Sequence, residues 1–160
     1  MTETKRDIGV ASEQDLRAVD GLTFLQGLIE GRYPVPPIAD LLGFALTEVE
    51  TGRAVFTGLP QYKHYNPIGM VHGGFAATLL DSALGCAVQT TCAQGEVYTT
   101  LELKVNMVRA ITTETGEVIA EGKIIHRGRS IATAEAQLRD AAGKLYAHAT
   151  TTCMLFPPRG

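Results

Sequence analysis

Apolar and polar positions alternate with a period of two over much of this chain and with a helical period over two stretches. Residues 12–31 carry Leu16, Val19, Leu22, Leu25, Leu28 and Ile29 at helical spacing, with Ser12 placed to cap the start and Gly31 to close the end. Tyr33-Pro34-Val35-Pro36-Pro37 then reads as an extended connector. Phe44 to Val49 and Arg53 to Leu59 read as two strands around Thr51-Gly52, and Pro60 to Met70 as a loop. Gly73 to about Cys92 reads as one long helix. Val97 to Val108 alternates, with Leu101, Leu103, Val105 and Met107 on one face and Glu102, Lys104 and Asn106 on the other. Glu117 to His126, Ser130 to Arg139 and Leu145 to Leu155 complete four strands joined by short turns. Short links favour an antiparallel meander, because parallel neighbours need long crossovers. No proline falls between Pro67 and Pro157, so regular structure can run there unbroken.

The order is therefore helix, two strands, long helix, four strands. A long apolar helix needs cover on every side, and a curved antiparallel sheet wrapped around it supplies that cover. This α+β arrangement looks like a hotdog fold with an extra N-terminal helix. We divide the chain into a helix and Pro-rich connector over 1–40 and the hotdog unit over 41–160.

Composition narrows the function. The chain has 160 residues, 45% hydrophobic and 19% charged, enough to bury a core. Its net charge of −3 and lack of a basic cluster argue against nucleic acid as a partner. The least charged stretch, Val71 to Gly95, carries a central Asp81, which would cost about 2.5–3.5 kcal/mol in a membrane-spanning helix. No membrane partner is expected. The first residues, MTETKRDIGV, hold no apolar run after their charges, CMLFPPRG at the other end holds no prenylation box, and the three cysteines form no C-x-x-C pair. A cytoplasmic location follows as an expectation.

Asp81 is the only acid or base on the long helix apart from cysteine thiols. A carboxylate among Phe75, Leu79, Leu80, Leu84 and Val88 is costly without partners or a task. At the helix start, His72-Gly73-Gly74 brings bare backbone N–H groups to the positive end of the helix, where a developing oxyanion is stabilised. Gly73 and Asp81 lie eight residues apart, about 12 Å along the axis. Reacting atoms approach to about 3–3.5 Å, so the two groups cannot serve one carbonyl within a single straight helix. Two antiparallel copies of the helix would bring Gly73 of one chain to Asp81 of the other. The stripe of Gly74, Thr78, Asp81 with Ser82, Gly85 and Gln89 leaves room for close approach.

Asn66-Pro-Ile-Gly69-Met-Val-His72-Gly73-Gly74 followed by Asp81, then Thr99-Thr100-Leu-Glu-Leu-Lys-Val-Asn106-Met-Val-Arg109 and His126-Arg-Gly-Arg-Ser130, resembles the hotdog-fold acyl-CoA thioesterases of the phenylacetate-degradation type. The resemblance covers roughly 40–156. It implies hydrolysis of an acyl-CoA thioester to a carboxylic acid and CoA. The Gly73 N–H would polarise the carbonyl and Asn66 would help hold the carbonyl or the water. Asp81 of the partner chain would act as base or nucleophile, and Thr100 would position the water. His72 and Gly74 would shape the helix start. Arg127, Arg129 and Ser130 would meet the phosphates of CoA, with Lys104, Arg109 and Lys123 adding positive potential. A homodimer or a homotetramer of two such dimers is implied. No metal and no cofactor is expected beyond CoA as part of the substrate, since His64, His72, His126 and His148 share no ligand spacing with the cysteines. Two alternatives stand beside this reading: a non-catalytic acyl-CoA-binding module, and a hotdog enoyl-CoA hydratase or dehydratase. Asn66 before Pro67 is also an ordinary turn former, and Thr100 an ordinary strand residue.

Overall fold

A helix that will be wrapped by a sheet must be apolar on nearly every side, and α4 (Gly73–Gln89) meets that demand. In this computed structural model, which describes residues 7–158, Leu79, Leu80, Ala83, Leu84, Ala87 and Val88 of α4 have no exposed surface. Each buried leucine or valine contributes on the order of 2 kcal/mol. His72 caps the helix, its Nδ1 accepting from the Gly74 N–H at 2.8 Å. The helix stops three residues before Cys92. The hydroxyls of Thr90 and Thr91 donate to the carbonyls of Ala87 (2.6 Å) and Val88 (2.7 Å) and draw the chain into a turn.

Six antiparallel strands wrap α4: β1 (Phe44–Glu50), β2 (Arg53–Gly58), β3 (Val97–Met107), β4 (Val118–Arg127), β5 (Ile131–Asp140) and β6 (Leu145–Phe156). Their order is β1-β2-β4-β5-β6-β3, and the architecture is a hotdog fold. The inner face is built from small residues. Ala120, Ala132, Ala134, Ala136, Ala147 and Ala149 are buried, which lets the sheet close tightly around the helix. Closest approach falls at β4, where a Cβ on Gly122 would lie 2.3 Å from the Ala83 carbonyl oxygen.

The short links predicted one meander of four strands, and only three form it. β4, β5 and β6 are hairpin neighbours, whereas β3 pairs with β6 at the sheet edge and the chain crosses back over residues 108–117. With β4 held against the middle of α4 and paired to both β2 and β5, it has no edge left for β3, which pairs with the outer edge of β6 instead. The alternation along β3 also breaks. A bulge sits at Leu101, between the Thr100–Cys153 and Glu102–Thr152 pairs, and reverses the phase. Tyr98, Leu103 and Val105 pack on the core, while Leu101 is 53% exposed. Met107 is also exposed and reaches the start of α4, its Cε 3.2 Å from where a Gly73 Cβ would stand.

The predicted helix over 12–31 is two helices, α1 (Glu13–Ala18) and α2 (Gly21–Glu30). Val19 is extended, and Asp20 begins a new helix by accepting from the Thr23 N–H at 2.9 Å and its hydroxyl at 2.8 Å. Gly21 fixes the break: its N–H donates to the Cys92 carbonyl at 3.0 Å, and any Cβ would strike the Gln89 carbonyl. The proline connector is extended as far as Pro36, with Val35 bridging Ile8. It then turns into a helix that the pattern did not reveal, α3 (Pro37–Leu42), with proline at its first turn, where no N–H is needed. The division at 40/41 falls inside α3, and the first six residues of the 1–40 segment lie outside the described residues.

Candidate active site

Asp81 sits on the third turn of α4, half-buried, and accepts from the Thr100 hydroxyl of β3 at 3.3 Å. That contact joins helix to strand at the rim of a cavity of about 410 Å³. The polar lining of the cavity comes from α4 and β3: Asp81, Ser82, Cys86, Gln89, Tyr98 and Thr100. The opposite wall is apolar and comes from the N-terminal helices and β1, with Leu16, Phe24, Leu28, Ile38, Phe44 and Leu46 among its residues. Asp81 is the only charged side chain in the lining. Burial, then the Asp81 charge, pushes the Cys86 thiol up to about 12, so it stays a neutral wall atom. Burial likewise holds the Tyr98 phenol well above its ordinary value.

The start of α4 faces a different cleft, of about 290 Å³, lined by Asn66, His72, Gly73, Met107 and Arg109 among others. Gly73 is the first residue of the helix, where an N–H has no intrahelical acceptor. His72 is held by its contact to Gly74, which assigns it to the cap and uses Nδ1 as an acceptor. Asn66 folds the approach. Its Oδ1 accepts from the N–H groups of Ile68 and Met70, both at 3.1 Å, and its backbone N–H donates to Met70 O at 2.7 Å. The ordinary turn-former reading of Asn66 is thus correct for the oxygen, and the side-chain NH2 is left to donate elsewhere. Behind the cleft, His64 stacks on Phe75 with ring centroids 4.5 Å apart, and its backbone carbonyl accepts from the His72 N–H at 2.7 Å.

Within one chain the structure keeps these two groups apart. Thr100 joins Asp81; Asn66, His72 and Gly73 line the other cleft; about 12 Å of helix lies between. The phosphate-binding expectation divides as well. Arg127 spends its guanidinium on Glu96 (2.7 and 2.8 Å), on the Thr91 hydroxyl (3.1 Å) and on the Gly128 carbonyl, so it braces the turn after α4. Arg129 and Ser130 are exposed on the β4–β5 turn. Among the described residues no three His, Cys, Asp or Glu side chains gather as a metal site, and no helix is long and apolar enough to cross a membrane.

Sequence reasoning placed Asp81 and Thr100 but missed Tyr98 as a cavity wall. The signal was present: Tyr98 stands two residues before Thr100 on one strand, hence on the same face. The sequence leaves the leading helix and the Pro34–Pro37 connector either to cap an acyl pocket or to build an interface between copies; folding lays Leu16, Phe24, Leu28 and Pro34 along the cavity as its apolar wall.

The Thioesterase superfamily profile matches residues 68–147, which includes Gly73, Asp81 and Thr100. The chain belongs to this superfamily. A 1,4-dihydroxy-2-naphthoyl-CoA hydrolase of Listeria monocytogenes is 27% identical over 108 residues, covering 68% of this chain and 86% of that protein. A Saccharolobus solfataricus protein named as an esterase is 32% identical over 114 residues, 70% of this chain and 78% of that one. Among solved structures, a phenylacetic acid degradation-related thioesterase of Ralstonia eutropha JMP134 superposes with a TM-score of 0.74 at 29% identity, covering 81% of this chain and 98% of the other. As a superfamily member, the chain is a thioester hydrolase.

Proposed function

We propose that the protein hydrolyses acyl-CoA thioesters to a carboxylic acid and CoA at a site shared by two copies of the chain. One observation carries this reading: each half of the required chemistry occupies its own cavity, and each half is incomplete. The cleft at Gly73 offers donors, the Gly73 N–H and the Asn66 NH2, without a carboxylate. The cavity at Asp81 offers a carboxylate and side-chain hydroxyls but no N–H of a helix start. Two antiparallel α4 helices join the Gly73 of one copy to the Asp81 of its partner, twice. β3, a sheet edge with exposed Val97 and Leu101, has room for a second copy beside it.

At the joined site the thioester oxygen accepts from Gly73 and Asn66, which stabilise the negative charge that develops on it. Asp81 takes a proton from a water held by Thr100 while the hydroxide adds to the carbonyl carbon. Collapse breaks the C–S bond, and the CoA thiolate leaves with the proton that Asp81 returns. Direct attack by the Asp81 carboxylate, followed by water opening the anhydride, uses the same groups. The acyl group lies in the apolar cavity, and the CoA phosphates meet Arg129 and Ser130, with Arg109 adding charge beside Gly73. No metal or organic cofactor has a role in this scheme.

Free-thiol release from a panel of acyl-CoAs tests the reading, since binding or hydration liberates no CoA. Turnover should survive chelation and desalting. Mixing Asp81→Asn chains with Asn66→Ala chains should restore activity in mixed dimers, because one of the two sites then holds both wild-type groups. Mixed dimers that form and stay inactive would overturn the shared site.

A further inference from the structure

Resting on the acyl-CoA reading, we propose that Tyr98 limits the length of the acyl group by closing the apolar cavity off from the clefts beside it. Tyr98 lies on the inward face of β3, and its ring lies across α4 at Gly85. A Cβ on Gly85 would stand 2.6 Å from the Tyr98 hydroxyl and 3.2 Å from Cε2, so only glycine lets the ring settle there. In that position the side chain borders three cavities. The first is the apolar cavity of about 410 Å³. The second is a cleft of about 450 Å³ that also includes Val19, Gly21 and Glu96. The third, of about 480 Å³, includes Arg17, Gly95 and Phe156.

The wall between the first two consists of Leu16, Gln89, Tyr98 and Thr100. Thr100 is engaged with Asp81, and Gln89 ends α4. Tyr98 has the largest side chain of the four, and its removal would join the cavities. The acyl chain starts at Asp81 and passes Cys86 toward Gln89, eight residues or about 12 Å along the helix. An extended chain advances about 1.2 Å per bond, since three backbone bonds span about 3.6 Å. The cavity therefore takes about ten bonds of acyl chain along the helix, and a longer group reaches the adjoining cleft through the side wall that Tyr98 forms.

The experiment measures kcat/KM for saturated acyl-CoAs from four to sixteen carbons with wild type, Tyr98→Ala, Tyr98→Leu and Tyr98→Phe. Wild type should fall off beyond about ten carbons. Tyr98→Ala should raise the ratio of the sixteen-carbon to the eight-carbon substrate by about tenfold or more. Tyr98→Phe, which keeps the ring, should hold the wild-type ratio. Tyr98→Leu, less disruptive to packing, should shift the ratio in the same direction and decides the matter if Tyr98→Ala fails to fold. A wild type with no length limit, or an unchanged ratio in the ring-removing variants, overturns the role of Tyr98 alone. A wild type that releases no CoA from any of the substrates, or from aromatic acyl-CoAs tried beside them, overturns the acyl-CoA reading instead.

Discussion

The cleft at the start of α4 takes its polar groups mainly from one short stretch of chain, with residues 107–111 as its second wall, whereas the cavity at Asp81 is assembled from many distant ones. Asn66 to Gly74 supply most of the polar atoms of the cleft: an Asn that ties its own turn, a His that caps the helix, and a glycine whose N–H is left over by helix geometry. The cavity draws on residues spread from Leu16 to Thr100, and its charge is a single side chain. A backbone donor is fixed wherever the helix begins, whereas a carboxylate depends on what tertiary packing places around it. In the proposed reaction the first region stabilises negative charge and the second moves a proton.

The sharpest way to break that division is Asp81→Asn. It keeps shape and the Thr100 contact but removes the base, so kcat should fall by about 10²–10⁴, with the thermal midpoint unchanged. Near-normal turnover in the purified variant would remove Asp81 from the mechanism. Next in size is Asn66→Asp, which preserves the oxygen that accepts from Ile68 and Met70 and deletes the donor NH2. A loss of about 10² in kcat is expected, with normal stability. Asn66→Ala should lose a similar factor and also about 1 kcal/mol of folding free energy, from two N–H groups left without their acceptor. Steady-state kinetics beside urea titrations separate the two effects.

Thr100→Val should lower kcat about tenfold, the equivalent of one hydrogen bond of about 1.4 kcal/mol. Thr100→Ser should retain most of it, and equal loss in both would point to packing rather than the hydroxyl. The smallest effect belongs to the cleft's support. Burial, then the Lys63 charge, lowers the His64 pKa below 6.5, and its Nε2 is buried without a partner. The unfolded chain therefore binds the proton more readily. Stability from this group is complete above 6.5 and is lost as pH falls below 6.5 toward the folded-state value. Urea midpoints at about pH 7.5 and 5.5 should differ, and His64→Leu should reduce the difference. An identical pH dependence in both proteins would assign it to other groups.

Much of the sheet was legible because alternation and turn residues act locally. The strands begin and end within two residues of their expected limits, and Gly52 and Gly143 turn with positive φ. What failed were relations between distant parts. Nothing local in Val97–Met107 says that β3 pairs with β6 or that a bulge turns Leu101 outward. Periodicity ran through Val19 because a helical repeat of leucines persists across the Asp20 cap.

The sequence by itself determined the long helix, its one carboxylate eight residues from its first free N–H, and the antiparallel strands around it. Those follow from periodicity, capping and helix rise, which any segment carries with it. Tertiary structure alone decided that Thr100 meets Asp81, that α1–α3 roof an apolar cavity, and that Arg127 is spent on Glu96. These depend on which surfaces remain uncovered once the sheet has closed around α4, and no short window of residues contains that information.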